Sequence, residues 1–144
     1  SGANLTYADM RNSDLTDANL SGANLRSAYL SNANLSGANL KNADLARANL
    51  YKANLSGADL SGALLRNVNL YNANLSDANL SGANLTYVDM RNSDLTNAVL
   101  SGATLDGLKL SGANLSGTDI FLANACTTDT IFSALISFFK FDFL

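Results

Sequence analysis

The chain has 144 residues, a formal net charge of −3, 47% hydrophobic and 15% charged residues, and no histidine, tryptophan, proline or glutamate. Its single cysteine, Cys126, excludes a disulfide framework and reads most simply as a buried structural thiol. No run of about 18 apolar residues exists, so no membrane span is expected; no secretory signal is visible, which assigns the cytoplasm by default and leaves a mature periplasmic or lumenal form open.

From Leu5 to Ile120 every fifth residue is a large aliphatic: 21 Leu, Met10, Met90 and Ile120. Two residues before each stands a small residue, Ala in 18 of the 24 cases. A period of five fits neither a helix nor an uninterrupted strand. Within a unit such as Ala23-Asn24-Leu25, however, apolar residues flank a polar one, the in-out-in pattern of a short strand. Two further residues then make a corner. All ten glycines occupy the second corner position, and Asn or Asp fills nine more of those 24 slots. These residue types tolerate positive φ, which a type II turn needs at its third residue. Tyr7, Ser27, Arg47, Lys52 and Tyr87 fill the remaining slots, where they must use another turn or accept strain.

Counting units modulo four gathers all five tyrosines on two adjacent faces, together with Arg11, Arg26, Arg47, Lys52, Arg66, Arg91 and Lys109. Counting modulo three scatters the tyrosines. Residues 1–16 match residues 81–96 at 15 of 16 positions, Ala8 against Val88 being the exception. The offset of 80 is four coils of 20, so each residue keeps its face. Val68, Val88 and Leu108 enlarge the inward small slot on one face and predict local bulging there.

Runs such as Ala18-Asn19-Leu20-Ser21-Gly22 fit A(N/D)LXX, so the chain resembles the pentapeptide-repeat family over residues 1 to about 125. The resemblance implies an all-β fold, a right-handed quadrilateral parallel β-helix with four units per coil. Residues 1–120 then make about six 20-residue coils, filled by a Leu column that is the main stabilising term.

All six phenylalanines lie at 121 or later. Thr127-Thr128-Asp129 is a helix start, and Ile131, Phe132, Leu135, Ile136, Phe138 and Phe139 recur at helical spacing. Two regions follow: a β-helix over 1–125, and a C-terminal helical cap and tail over 126–144, with the helix near 128–140 covering the last strand edges. Phe132, Phe138, Phe139, Phe141 and Phe143 are the candidate cap and dimer residues. In pentapeptide-repeat proteins that shield gyrase the C-terminal helix mediates dimerisation, so the resemblance offers a homodimer through this end.

Catalysis needs converging groups, and the sequence supplies none. Asp14 and Asp17 share a face, but Asp94 sits about 19 Å along the same column. Most other shaft aspartates (Asp9, Asp44, Asp59, Asp89) fill the Asn slot and bond to local backbone. No metal cluster, phosphate loop or nucleophile–base pair is present, so no enzyme, metal or cofactor is expected. What remains is surface. Tyr7, Arg11, Arg47, Tyr51, Lys52, Tyr71, Tyr87 and Arg91 form the candidate binding face: Tyr51 and Tyr71 in one column with Arg11 and Arg91 above and below, and Arg47 beside Tyr7 and Tyr87 in another. Tyr and Arg recur in recognition surfaces; the plainer account is that a β-helix ladders like residues and must place its solubilising charges somewhere.

The leading expectation is a non-enzymatic structural or interaction module for an unidentified protein partner. The alternative is a DNA mimic that binds DNA gyrase, as quinolone-resistance relatives do. Duplex DNA of this length would carry roughly 17 negative charges, against 12 Asp and nine cations here. Ice binding is more remote, since the one hydroxyl column (Thr16, Ser36, Ser56, Ser76, Thr96, Ser116) is mostly serine. The net negative charge weighs against nucleic acid.

Overall fold

The computed structural model describes residues 1–120 and Ala123. Parallel bridges join residues twenty apart: Asn4 to Asn24, Asp9 to Tyr29, Asp14 to Asn34 and Asn19 to Asn39, and so on along the shaft. Four bridge columns with four intervening corners make a four-sided tube. We number the faces in chain order, the first carrying Asn4, the second Asp9, the third Asp14 and the fourth Asn19.

Each corner is closed by a hydrogen bond from the small residue's N–H to the preceding aliphatic carbonyl, as in Ala8 to Leu5 at 3.0 Å. The second corner residue has φ between 53° and 74° throughout. Positive φ at the third turn residue alone is the type II geometry. The five residues without a left-handed preference do not escape it: Tyr7 (58°), Ser27 (54°), Arg47 (63°), Lys52 (56°) and Tyr87 (57°) take the same turn. Neighbouring coils fix the corner carbonyls and amides, so tertiary pairing overrides the local cost.

The amides of one unit show what holds the coils. Leu5 N–H donates to Asn24 O at 2.7 Å, Tyr7 N–H to Arg26 O at 3.0 Å, and Asn24 N–H back to Ala3 O at 2.8 Å. The turn takes a fourth amide. The fifth, at the first corner residue, donates to the Asn or Asp side chain two residues earlier, as Thr6 N–H does to Asn4 Oδ1 at 3.3 Å and Ser76 N–H to Asn74 Oδ1 at 3.0 Å. This Asx turn is why the slot holds Asn or Asp. Tyr29, Leu64, Val99, Thr104 and Lys109 occupy the same slot without that acceptor.

The lumen is a continuous stack. Leu25 through Leu85, Met90, and Leu95 through Leu105 are at most 1% exposed, while Leu5, Met10, Leu15 and Leu20 in the first coil are partly buried. Bulging at the enlarged slots is slight: across the second face the Asn69 N–H to Ala48 O bond is 3.2 Å, against 2.9 Å for Asn49 to Ala28 in the coil before. The expected helix near 128–140, Cys126, and Phe132, Phe138, Phe139, Phe141 and Phe143 lie outside the described residues. Among the described residues no helix is long and apolar enough to cross a membrane.

Candidate functional site

The second face and its two bordering corners carry the tyrosines. One corner bears Tyr7, Arg26, Arg47, Arg66 and Tyr87; the other bears Arg11, Tyr51, Lys52, Tyr71 and Arg91. Between them on the flat wall stand Asp9, Tyr29, Asn49, Asn69, Asp89 and Lys109.

The twenty-residue register brings four of the eight candidates together. The Tyr51 and Tyr71 rings stack with centroids 6.0 Å apart and planes inclined by 14°. Lys52 Nζ lies 5.3 Å from the centre of the Tyr51 ring, and the Arg91 guanidinium carbon 5.5 Å from that of Tyr71. Asn92 Nδ2 donates to the Tyr71 hydroxyl at 2.9 Å. Both rings are thereby half-buried on an otherwise flat surface.

The other four stand apart. Arg11 does not border the stack, because Ser31 fills its column between Arg11 and Tyr51. Arg47 is next to neither Tyr7 nor Tyr87 in its column, since Ser27 and Asn67 intervene, one coil on each side. Tyr7 and Tyr87 project singly, 68% and 60% exposed. The sequence count placed each residue on the right wall but overlooked the intervening coils.

Three arginines are already engaged, two of them among the candidates. Arg11 grips Asp9 through Nε to Oδ1 at 2.8 Å and a terminal nitrogen to Oδ2 at 2.6 Å, and Arg91 grips Asp89 with the same two distances. The Asp9 carboxyl is pulled down to about 2, first by the Arg11 side chain and then by its backbone amide. Asp89 is lowered mainly by the Arg91 side chain. Arg26 reaches Asp44 on the first face at 3.0 Å.

Seven cations share this wall with Asp9, Asp89 and Asp106. The third and fourth faces and the corner joining them carry Asp14, Asp17, Asp59, Asp77, Asp94 and Asp119, with no cation among the described residues. The tube is therefore polarised across its width. No group of three His, Cys, Asp or Glu side chains among the described residues gathers as a metal-holding cluster.

The family profile described as pentapeptide repeats matches eight copies over residues 1–32, 28–67, 63–102 and 83–120. The chain belongs to the pentapeptide-repeat family. Pentapeptide-repeat proteins are right-handed quadrilateral β-helices, which supplies the hand of the coil. The family consists generally of structural and interaction modules rather than enzymes. The crystal structure of Rfr23 from the cyanobacterium Cyanothece 51142 is similar, with 39% identity and TM-score 0.60 over 66% of this chain and 62% of that one. HetL, involved in heterocyst differentiation regulation in the cyanobacterium Nostoc sp. strain PCC 7120, has 34% identity and TM-score 0.57 over 90% of this chain and 68% of that one. The fluoroquinolone resistance protein QnrB1 aligns more loosely, with 26% identity and TM-score 0.42 over 79% of this chain and 65% of that one. No curated protein matches the chain.

Proposed function

We propose that this pentapeptide-repeat chain is a non-enzymatic interaction module that presents the second face of a rigid β-helix, about six coils long, to a protein partner. One observation carries the reading: Tyr51 and Tyr71 are stacked, half-buried and flanked by Lys52 and Arg91. Each tyrosine carbonyl accepts from the coil before and each amide is held by an Asx turn, so with the rings stacked they lose little freedom on contact. Pre-ordered aromatic and Arg side chains are the usual anchors of protein interfaces.

The test is capture of partners with wild type and with Tyr51→Ala/Tyr71→Ala/Arg91→Ala. These corner residues lie outside the Leu stack, so the triple variant should keep its far-ultraviolet spectrum. Loss of a specific partner supports the proposal; an unchanged set of partners reduces the wall to a solubilising surface.

A further inference from the structure

The wall's charge is unevenly satisfied. Arg11, Arg26 and Arg91 are held by Asp9, Asp44 and Asp89. Among the described residues Arg47, Lys52 and Arg66 form no ion pair, and all three are exposed. Arg47 and Arg66 are adjacent on one corner, and Lys52 stands on the other. Arg47 N–H bonds to Arg66 O at 3.0 Å, and Lys52 N–H to Tyr71 O at 3.1 Å. Between the two corners, Asn69 Nδ2 donates to Asn49 Oδ1 at 3.3 Å, making a flat amide floor. Two arginines thus line one side of this floor, and the stacked tyrosines with Lys52 line the other.

We infer that this central patch docks carboxylates from an extended acidic segment of a partner protein. The inference rests on the interaction reading above and names the chemistry of its partner. Three cations without an ion pair around a carboxylate-free floor favour anions, and guanidinium groups donate to carboxylates in two-pronged geometry. The length of the patch selects the source. Along the second face Asp89 lies one coil beyond Asn69, and Asp9 two coils before Asn49. Asp9 and Asp89 are thus four coils, about 19 Å, apart, and the window of acid-free rows between them (Tyr29, Asn49, Asn69) spans about 10 Å at roughly 4.8 Å per coil. An extended peptide places alternate side chains about 6.8 Å apart, so two or three carboxylates fill the window. A nucleic acid strand continues past it and meets carboxylates at both ends.

Titration of the isotope-labelled protein with a peptide of eight glutamates at low salt tests the inference, read by NMR at the Asn49 and Asn69 side-chain amides. The expected result is a set of shifts centred on those two residues. It should weaken at least tenfold in Arg47→Asn/Lys52→Asn/Arg66→Gln and stay unchanged in Lys41→Gln, a cation of another corner. Asn suits positions 47 and 52, because Asn42, Asn67 and Asn72 hold the same left-handed conformation. Absent or scattered shifts, or equal binding by an eight-residue oligothymidylate, overturns the inference. So does self-association that the peptide merely disperses. Partner capture separates the two readings. A partner lost by Tyr51→Ala/Tyr71→Ala but kept by the charge variant overturns the carboxylate preference alone. Capture indifferent to both variants overturns both.

Discussion

At the scale of single residues, the Asn slot and the corner slot behave differently when the pattern lapses. Leu64 stands where an Asx acceptor belongs, and it is 46% exposed, so it gains little from burial. Leu64→Asn restores a hydrogen bond to the Arg66 amide and should raise stability by about 0.5–1.5 kcal/mol in chemical denaturation. The reverse change, Asn54→Leu, should lower it, because the Ser56 amide loses its acceptor. At the corners, Gly57 has φ of +64° and open space where a Cβ would point. Gly57→Ala should therefore cost only the left-handed penalty, about 1–2 kcal/mol. Gly107 carries the same φ sign but lies against the Tyr87 ring. Gly107→Ala should cost more than Gly57→Ala, and Tyr87→Ala in the same chain should recover the difference.

The depressed carboxyls make a prediction of their own. Asp9 sits at about 2, below its ordinary 3.8, and Asp14, Asp59 and Asp89 are also lowered. A carboxylate with a depressed folded pKa stabilises above its unfolded value, and that contribution disappears as pH falls through the folded one. Melting temperature should be level from neutral pH down to roughly 4 and decline between about 4 and 2. Asp9→Asn/Asp89→Asn keeps both corner acceptors but removes the carboxylate contribution, so it should melt somewhat below wild type at pH 7, decline less in acid and converge with wild type near pH 2.

At the scale of the element, each five-residue unit contributes one aliphatic side chain to a shared stack, so position along the tube sets the cost of losing it. Leu55 is wholly buried, and its neighbours are fixed by ladders on both sides. Leu55→Ala should cost about 2–5 kcal/mol. Leu5→Ala should cost less, since Leu5 is only partly buried in the first coil. Denaturant midpoints compare the two directly. The unit was also the most legible part of the sequence. Period five, the Ala partner and the Gly/Asn corners dictated strand, turn type and inward residues, and the modulo-four count put every tyrosine on its observed wall. The conformation of Arg47 and Tyr87 was not legible, because nothing local tells a bulky residue to accept positive φ; the coils before and after impose it. Nor were the true neighbours of Arg11 and Arg47, since adjacency along a column depends on single coils that a face count averages out.

At the scale of the whole molecule, apolar stacking and main-chain ladders carry stability, while the charges decorate the outside. The three described ion pairs are exposed or half-exposed, and such pairs contribute little. Raising salt from about 0.05 to 0.5 M should shift thermal stability only slightly, whereas binding at the cationic wall should fall steeply. Partner loss without a change in melting temperature is the expected signature of that division.

The twenty-residue register also makes the outer wall a ruler with one fixed graduation. Its marks fall roughly 4.8 Å apart, whereas successive turns of an α-helix are 5.4 Å apart. A helix laid along the tube slips by about 0.6 Å at each mark and is half a graduation out of step after four coils. Only a partner whose own spacing is commensurate, or whose footprint covers few marks, keeps every contact in phase.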